Sequence, residues 1–299
     1  PLNLMTREWA RKLIPKRPQS AHKGTFGRTL IVAGSRNYIG AAYLAAAAAG
    51  RSGSGLVTLA IPQSLQIAIA AIAPEVTYLP LPESSYGVPS SDAADIILER
   101  VSGYQSLLVG CGLGQSPQTY ELLDRLLLSG HHLPPITIDA DGLNFLSAGG
   151  NDGWWKKVPS HTVLTPHPGE MTRLTQASMQ CLEGNRSQLA LQAASRCDKV
   201  VVLKGAFTVV AFPSGQAILN PTSNPGLATA GSGDVLAGTI AGLLAQGLSV
   251  ENGAALGVYL HGKAGEKVRD RIGEAGILAS DLLKEIPISI RDAREGPGV

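Results

Sequence analysis

Six apolar runs closed by glycine or a polar turn recur along the chain: RTLIVAG (28–34), GLVTLAIP (55–62), SLLVGCG (106–112), ITIDADG (136–142), TVLTPHPG (162–169) and VVVLKG (200–205). They are rich in β-branched residues and continuous rather than alternating, as in strands covered on both faces. Segments of helical character separate them. Strands that alternate with helices pair in parallel, so the expected fold class is α/β, a three-layer α/β/α domain with a mostly parallel central sheet. TVVAFPSGQAILN (208–220) differs, because two β-rich runs flank a Pro-Ser-Gly turn, which predicts an antiparallel hairpin. Helices are expected from about Asp234 to Gln246 and from about Asn252 to Asp270.

Composition narrows the function. Hydrophobic residues at 44% against 16% charged supply a large core and exclude a disordered chain. A formal charge of +2 is too small for a nucleic-acid or membrane surface, so neither partner is expected and small-molecule chemistry is. The three cysteines, Cys111, Cys181 and Cys197, have no CxxC spacing. That argues against a disulfide framework and a zinc site, and for a reduced, cytoplasmic compartment. YIGAAYLAAAAAG (38–50) falls short of the roughly 20 residues that cross a bilayer and reads as a buried helix. The chain begins at Pro1 without an apolar signal core and reads as a piece of something longer. Residues 1–21 are expected to be a leader or linker, 22–290 one domain and 291–299 a polar tail.

In parallel sheets ligands sit outside the carboxyl ends of the strands. The unusual residues fall there: Gly34 and Ser35, GCGLG (110–114), Asp139 and Asp141, TPHPGE (165–170) and Lys204. In NPGLATAGSGDVLAG (224–238), Gly231, Ser232 and Gly233 precede a helix start at Asp234. Free N–H groups and the helix dipole favour an anion at such a start. The plainer account is a turn with Asp234 as N-cap. His167 is fixed between Pro166 and Pro168 and reads as a ligand contact, while Glu170 either orients a hydrated Mg²⁺ or caps a helix. Asp139 and Asp141, on the same side of an extended segment, reach metal or substrate or serve turn and cap. Lys204 suits a phosphate or a buried partner. His131, His132, His161 and His261 show no ligand spacing and are assigned to surface or packing. No GxxxxGK[ST] and no strand-linked GxGxxG occurs, so a P-loop and a dinucleotide fingerprint are excluded.

Taken in order, HKGTFGRTLIVAGSRNYIGAAYLAAAAAGRSGSGLVTLA, GCGLG, IDADGLN, LTPHPGE, VVLKG and NPGLATAGSGDVLAGTIAGLL closely resemble the NAD(P)H-hydrate dehydratase family of the ribokinase-like superfamily, from about residue 22 to 285. The resemblance implies a ribokinase-like fold and a repair enzyme. Such enzymes phosphorylate the ring hydroxyl of hydrated NADH or NADPH with ADP or ATP and release phosphate to restore the dihydronicotinamide. It places Asp234 as general base, with the N–H groups of Gly231, Ser232 and Gly233 meeting the charge on the transferred phosphoryl group. The hydrated-nucleotide site carried over is Ala41, Gly112 or Gly114, His167 and Asp234. The adenine-nucleotide site is Lys204, Gly205, Ala206, Phe207 and Thr208 with Gly233. Mg²⁺, a homo-oligomer and a fused or separate epimerase domain complete the expectation. Three positions depart from the family's pattern: Ser223, Ala230 and Ser232 stand for Gly, Gly and Thr, and Ala230 requires a backbone that tolerates a Cβ. Vitamin-precursor kinases share the terminal GxGD but tend to place Asn where His167 stands. A catalytically silent nucleotide binder is the third reading.

Overall fold

The computed structural model describes residues 2–149 and 153–296. Its strands are β1 (Leu2–Leu4), β2 (Arg28–Val32), β3 (Leu56–Pro62), β4 (Thr77–Leu81), β5 (Glu83–Ser85), β6 (Val88–Pro89), β7 (Ser106–Val109), β8 (Ile136–Ile138), β9 (Thr162–Leu164), β10 (Val200–Leu203), β11 (Val209–Ala211) and β12 (Ala217–Leu219). The helices are α1 (Arg7–Leu13), α2 (Ile39–Arg51), α3 (Gln66–Ala70), α4 (Ala93–Val101), α5 (Pro117–Leu127), α6 (Asp141–Ala148), α7 (Pro168–Thr175), α8 (Met179–Gly184), α9 (Arg186–Cys197), α10 (Ser232–Ala245), α11 (Val250–Ile272) and α12 (Ala279–Glu295).

Ten strands form one sheet in the order β1-β12-β11-β10-β9-β8-β7-β2-β3-β4, while β5 and β6 pair apart from it. Only β11 runs against its neighbours, and it forms with β12 the hairpin expected over 208–220. All six glycine-bounded runs are strands of this sheet. Successive side chains go to opposite faces. Leu30, Val32, Leu107, Val109, Ile136 and Ile138 pack with Leu122, Leu126 and Ala190 of α5 and α9. Ile31 and Leu108 meet Ala45 of α2 and Ala241 of α10 on the other face, and there Val163 and Val202 meet Ile240. Burial on both faces is why the runs are apolar throughout instead of alternating.

The three-layer α/β/α expectation holds, with two corrections at the ends. Within 1–21, expected to be a leader or linker, residues 2–14 pack onto the domain: β1 pairs in parallel with β12, and Met5, Ala10 and Ile14 are buried in the core. Residues 291–295 are the last turns of α12 rather than a polar tail, with Ala293 buried; 297–299 of that expected tail lie outside the described residues. Among the described residues, no helix is long and apolar enough to cross a membrane.

Helix α10 sets the site. Its first turn points to the carboxyl ends of the strands and its body lies on α2. A Cβ on Gly238 would stand 2.1 Å from the carbonyl oxygen of Ala45, so only glycine allows the two backbones this close. Strand order reverses between β2 and β7, because β3 and β4 continue to one side and β8, β9 and β10 to the other. The crevice at that switch is where such sheets place ligands.

Candidate active site

At the switch point the turn after β7 lies against the turn after β2. The Ser35 hydroxyl donates to the carbonyl of Gly112 at 2.8 Å. A Cβ on Gly112 would come within 2.8 Å of the Ala41 Cβ in the first turn of α2. Gly114 is fixed from the far side, where its N–H donates to Asp141 Oδ2 at 2.7 Å. Asp141 therefore orders the GCGLG turn. The expectation that Asp139 and Asp141 share one side of an extended segment fails, because Ala140 takes a positive φ of 48° and Asp141 already opens α6. The two carboxylates diverge, Asp139 toward Lys204 and Asp141 toward Gly114.

Asp139, directly after β8, is almost fully buried, and its Oδ1 receives a hydrogen bond from Lys204 Nζ at 2.7 Å. Glu170 Oε2 stands 3.8 Å from the same ammonium. Burial works against the charge of Lys204, but Asp139 and Glu170 outweigh it and hold its pKa above the ordinary value. Glu170 is pushed up to about 7, by burial first and with Asp139 adding, against the pull of Lys204. A Cβ on Gly233 would come 3.2 Å from Lys204 Nζ, which puts the ammonium beneath the first turn of α10.

His167 and Glu170 form a reciprocal cap on α7. The His167 Nδ1 accepts from the N–H groups of Gly169 (3.0 Å) and Glu170 (3.2 Å), and the Glu170 carboxylate accepts from the His167 N–H at 2.8 Å. An accepting Nδ1 leaves the proton of the neutral ring on Nε2, which lies 3.4 Å from Glu170 Oε1. Burial, then Lys204 and Arg173, lower the His167 pKa and keep the ring neutral.

At α10, Gly231 is the N-cap at φ 88°, a left-handed turn open to glycine. Ala230 has no positive φ, so its Cβ is tolerated. Among the described residues the N–H groups of Gly231, Gly233 and Asp234 find no acceptor, whereas Ser232 N–H is taken by the Thr229 carbonyl at 3.3 Å. Of the expected trio, Gly231 and Gly233 thus present free N–H groups while that of Ser232 is partnered, and the Asp234 N–H beside them is free as well. His261 of α11 supports this turn. Its Nε2 lies 3.0 Å from the Ser232 carbonyl and 3.2 Å from the Ser232 hydroxyl, so Nε2 carries the proton and donates to the carbonyl. Burial holds the His261 pKa down at about 4.

A cavity of about 510 Å³ opens on one side of the turn, lined by His167, Lys204, Gly205, Ala206, Thr208, Ser232, Gly233 and His261, with Asn220, Thr222 and Asn224 opposite. Leu236 and Val258 add apolar lining. Asp234, on the other side, faces Cys111 and Asp139, with their ligand atoms all within 4.8 Å of one another. Asp234 is raised to about 6, by burial first and then by Asp139.

The expected residues therefore sort into two groups around one helix start. Ala41, Gly112 and Gly114 gather at the switch point. His167, expected with them, lines the cavity on the Lys204 side instead. Phe207 is absent from the cavity wall; its side chain is exposed, and it takes a positive φ of 55°. Glu170 is unsuited to Mg²⁺, since both its oxygens face the His167 backbone or ring and Lys204. A thiol and a lysine-bound Asp139 are equally poor for a hard cation.

A family profile described as NAD(P)H-hydrate dehydratase matches residues 29–288. The chain belongs to the NAD(P)H-hydrate dehydratase family. It is 34% identical over 94% of its length to the ADP-dependent (S)-NAD(P)H-hydrate dehydratase of Bacillus subtilis, covering 95% of that protein. The crystal structure of the ADP/ATP-dependent NAD(P)H-hydrate dehydratase from Bacillus subtilis, co-crystallized with ATP/Mg²⁺, superposes with a TM-score of 0.83 at 32% identity, covering 97% of this chain and 98% of the other. The bifunctional NAD(P)H-hydrate repair enzyme Nnr of Moorella thermoacetica is 44% identical over 98% of this chain. This member of the dehydratase family spans 54% of that relative, about half its length.

Proposed function

We propose that this chain dehydrates the hydrated form of NADH or NADPH at the expense of ADP or ATP, through a phosphorylated intermediate. The observation that carries the reading is the place of Asp234. It stands at a helix start where the N–H groups of Gly231, Gly233 and Asp234 are free, between a cavity of nucleotide size and the Ala41–Gly112 crevice. In this reading the adenine nucleotide occupies the cavity against Lys204, Gly205, Ala206 and Thr208. The hydrated ring lies toward Ala41 and Gly112.

Asp234 takes the proton of the ring hydroxyl as its oxygen attacks the terminal phosphorus. The bond from that phosphorus to the bridging oxygen breaks, and the shortened nucleotide leaves. The N–H groups of Gly231, Gly233 and Asp234, with the ammonium of Lys204 below them, meet the charge on the transferred group. The ring carbon–oxygen bond then breaks with the oxygen leaving as phosphate, pushed by the ring nitrogen's lone pair, and loss of a ring proton restores the dihydronicotinamide. Mg²⁺ in this reading travels on the nucleotide phosphates. An epimerase that interconverts the hydrate's two epimers belongs to the reading as well, fused or separate, because the Moorella relative is named bifunctional. So do a cytoplasmic setting and a homo-oligomer, which light scattering would test.

The assay follows absorbance at 340 nm after the protein is added to NADH-hydrate with ADP, then with ATP, each with Mg²⁺. A nucleotide-dependent rise is expected and names the donor. A flat trace with a phosphate ester accumulating would replace the dehydratase by a kinase, and a flat trace with no nucleotide consumed would leave a silent binder.

A further inference from the structure

Asp234 is held from behind by two buried groups that the proposed reaction does not use. Cys111, in the turn that follows β7, is fully buried, and its Sγ, an Asp139 oxygen and an Asp234 oxygen all lie within 4.8 Å of one another. Asp139 is itself committed, with Oδ1 bound by Lys204 Nζ at 2.7 Å. Among the described residues no side-chain hydrogen bond ties down the Asp234 carboxylate, which leaves its oxygens open to the thiol. Burial and the two carboxylates raise the Cys111 pKa well above its ordinary value, so the sulfur keeps its proton and can donate it to a carboxylate oxygen.

We propose that Cys111 and Asp139 are positioning residues that set the proton affinity of Asp234 in opposite senses. The Cys111 thiol donates to one carboxylate oxygen and leaves the other for the hydroxyl. The Asp139 carboxylate, fixed by Lys204, repels the charge and makes Asp234 a stronger base. The balance involves the remaining groups around Asp234 too. Lys204 at the end of β10 favours its charge and Asp141 at the start of α6 opposes it. Glu170 of α7 stands on the far side against Lys204, α2 and α12 bring Leu44 and Ala279 to this turn, and His261 behind Ser232 is neutral.

This inference rests on the proposed function only for its consequence in turnover, so the first readout needs no substrate. Carboxyl-detected NMR of the full chain labelled with ¹³C-aspartate, with Asp234 assigned through Asp234→Asn, follows its titration directly. Asp139→Asn should move the Asp234 midpoint down by about one pH unit, as expected for loss of a like charge at this range. Cys111→Ala should move it up by about half a unit through loss of the donor, and Cys111→Ser should restore it. The acid limb of kcat/KM for NADH-hydrate should move the same way in each variant. Midpoints that shift in one direction for both Asp139→Asn and Cys111→Ala, or a Cys111→Ser that behaves as Cys111→Ala, would overturn the proposal. If the NMR midpoints move as stated while the wild type does not turn over NADH-hydrate, the tuning stands and the dehydratase reading falls.

Discussion

At the scale of residues, Asp234 carries opposite consequences for stability and for chemistry. Its carboxyl is lifted from 3.8 to about 6 by burial and by Asp139. The folded protein therefore holds a proton there that the unfolded chain releases, and the charged carboxylate costs the fold roughly 2–3 kcal/mol above pH ~6. The cost fades between about 6 and 4 and is absent below the ordinary value of 3.8. Asp234→Asn should accordingly raise the thermal midpoint at pH 7.5, with the gain vanishing near pH 4, and lower kcat by at least about 10²-fold. Calorimetry at the two pH values and the 340 nm assay check the pair. In the wild type, kcat/KM should fall below pH about 6 as Asp234 is protonated. The sequence made Asp234, Lys204 and the glycines of the turn legible, because anion-binding turns are local chemistry. Cys111 and His261 were not, since both owe their place to burial against a residue more than 25 positions away. His261 carried one faint signal, the glycines at 257, 262 and 265 that bring its helix close to neighbouring side chains.

At the scale of elements, the contact of α10 with α2 decides whether the anion turn is held in place. A Cβ at Gly238 would overlap the Ala45 carbonyl, a backbone atom that cannot swing away. Gly238→Ala is therefore expected to cost at least about 2 kcal/mol, despite alanine's better helix propensity. Gly50→Ala is the control: it lies in α2 with open space around it and should gain roughly 0.5–1 kcal/mol. Urea midpoints for the two variants should move apart. Equal shifts would remove the close approach as the reason for glycine here. The element pattern itself was readable wherever both faces of a strand are buried. It failed for β4, where Thr77, Tyr78, Leu79 and Pro80 stay partly exposed at the sheet edge and the apolar run is broken. The same holds for β1, whose Leu2 and Leu4 are more than half exposed.

At the scale of the whole molecule, the first residues close the sheet. Cutting away 1–21 would bare the edge of β12 and strip Met5, Ala10 and Ile14 from the core. The truncated protein should lose at least about 5 kcal/mol of stability and aggregate through its opened edge. Denaturant titration and light scattering against the full chain decide this, and an unchanged midpoint would mean that β1 and α1 are dispensable. The family profile begins only at residue 29, and the chain's opening is polar enough to read as a linker. Its place in the fold follows from three buried side chains that no local pattern announces. The reversed strand β11 has a consequence of another kind. By folding back at once, the β11–β12 hairpin brings Phe207 N–H to the Thr222 carbonyl at 3.3 Å, so two walls of the cavity come from one short stretch of chain. Hairpins of this span close in about 1–10 μs, far ahead of the distant pairings that complete the sheet. Two walls of the cavity are thus a local folding unit, and in the proposed reading a nucleotide present during refolding would meet part of its pocket early.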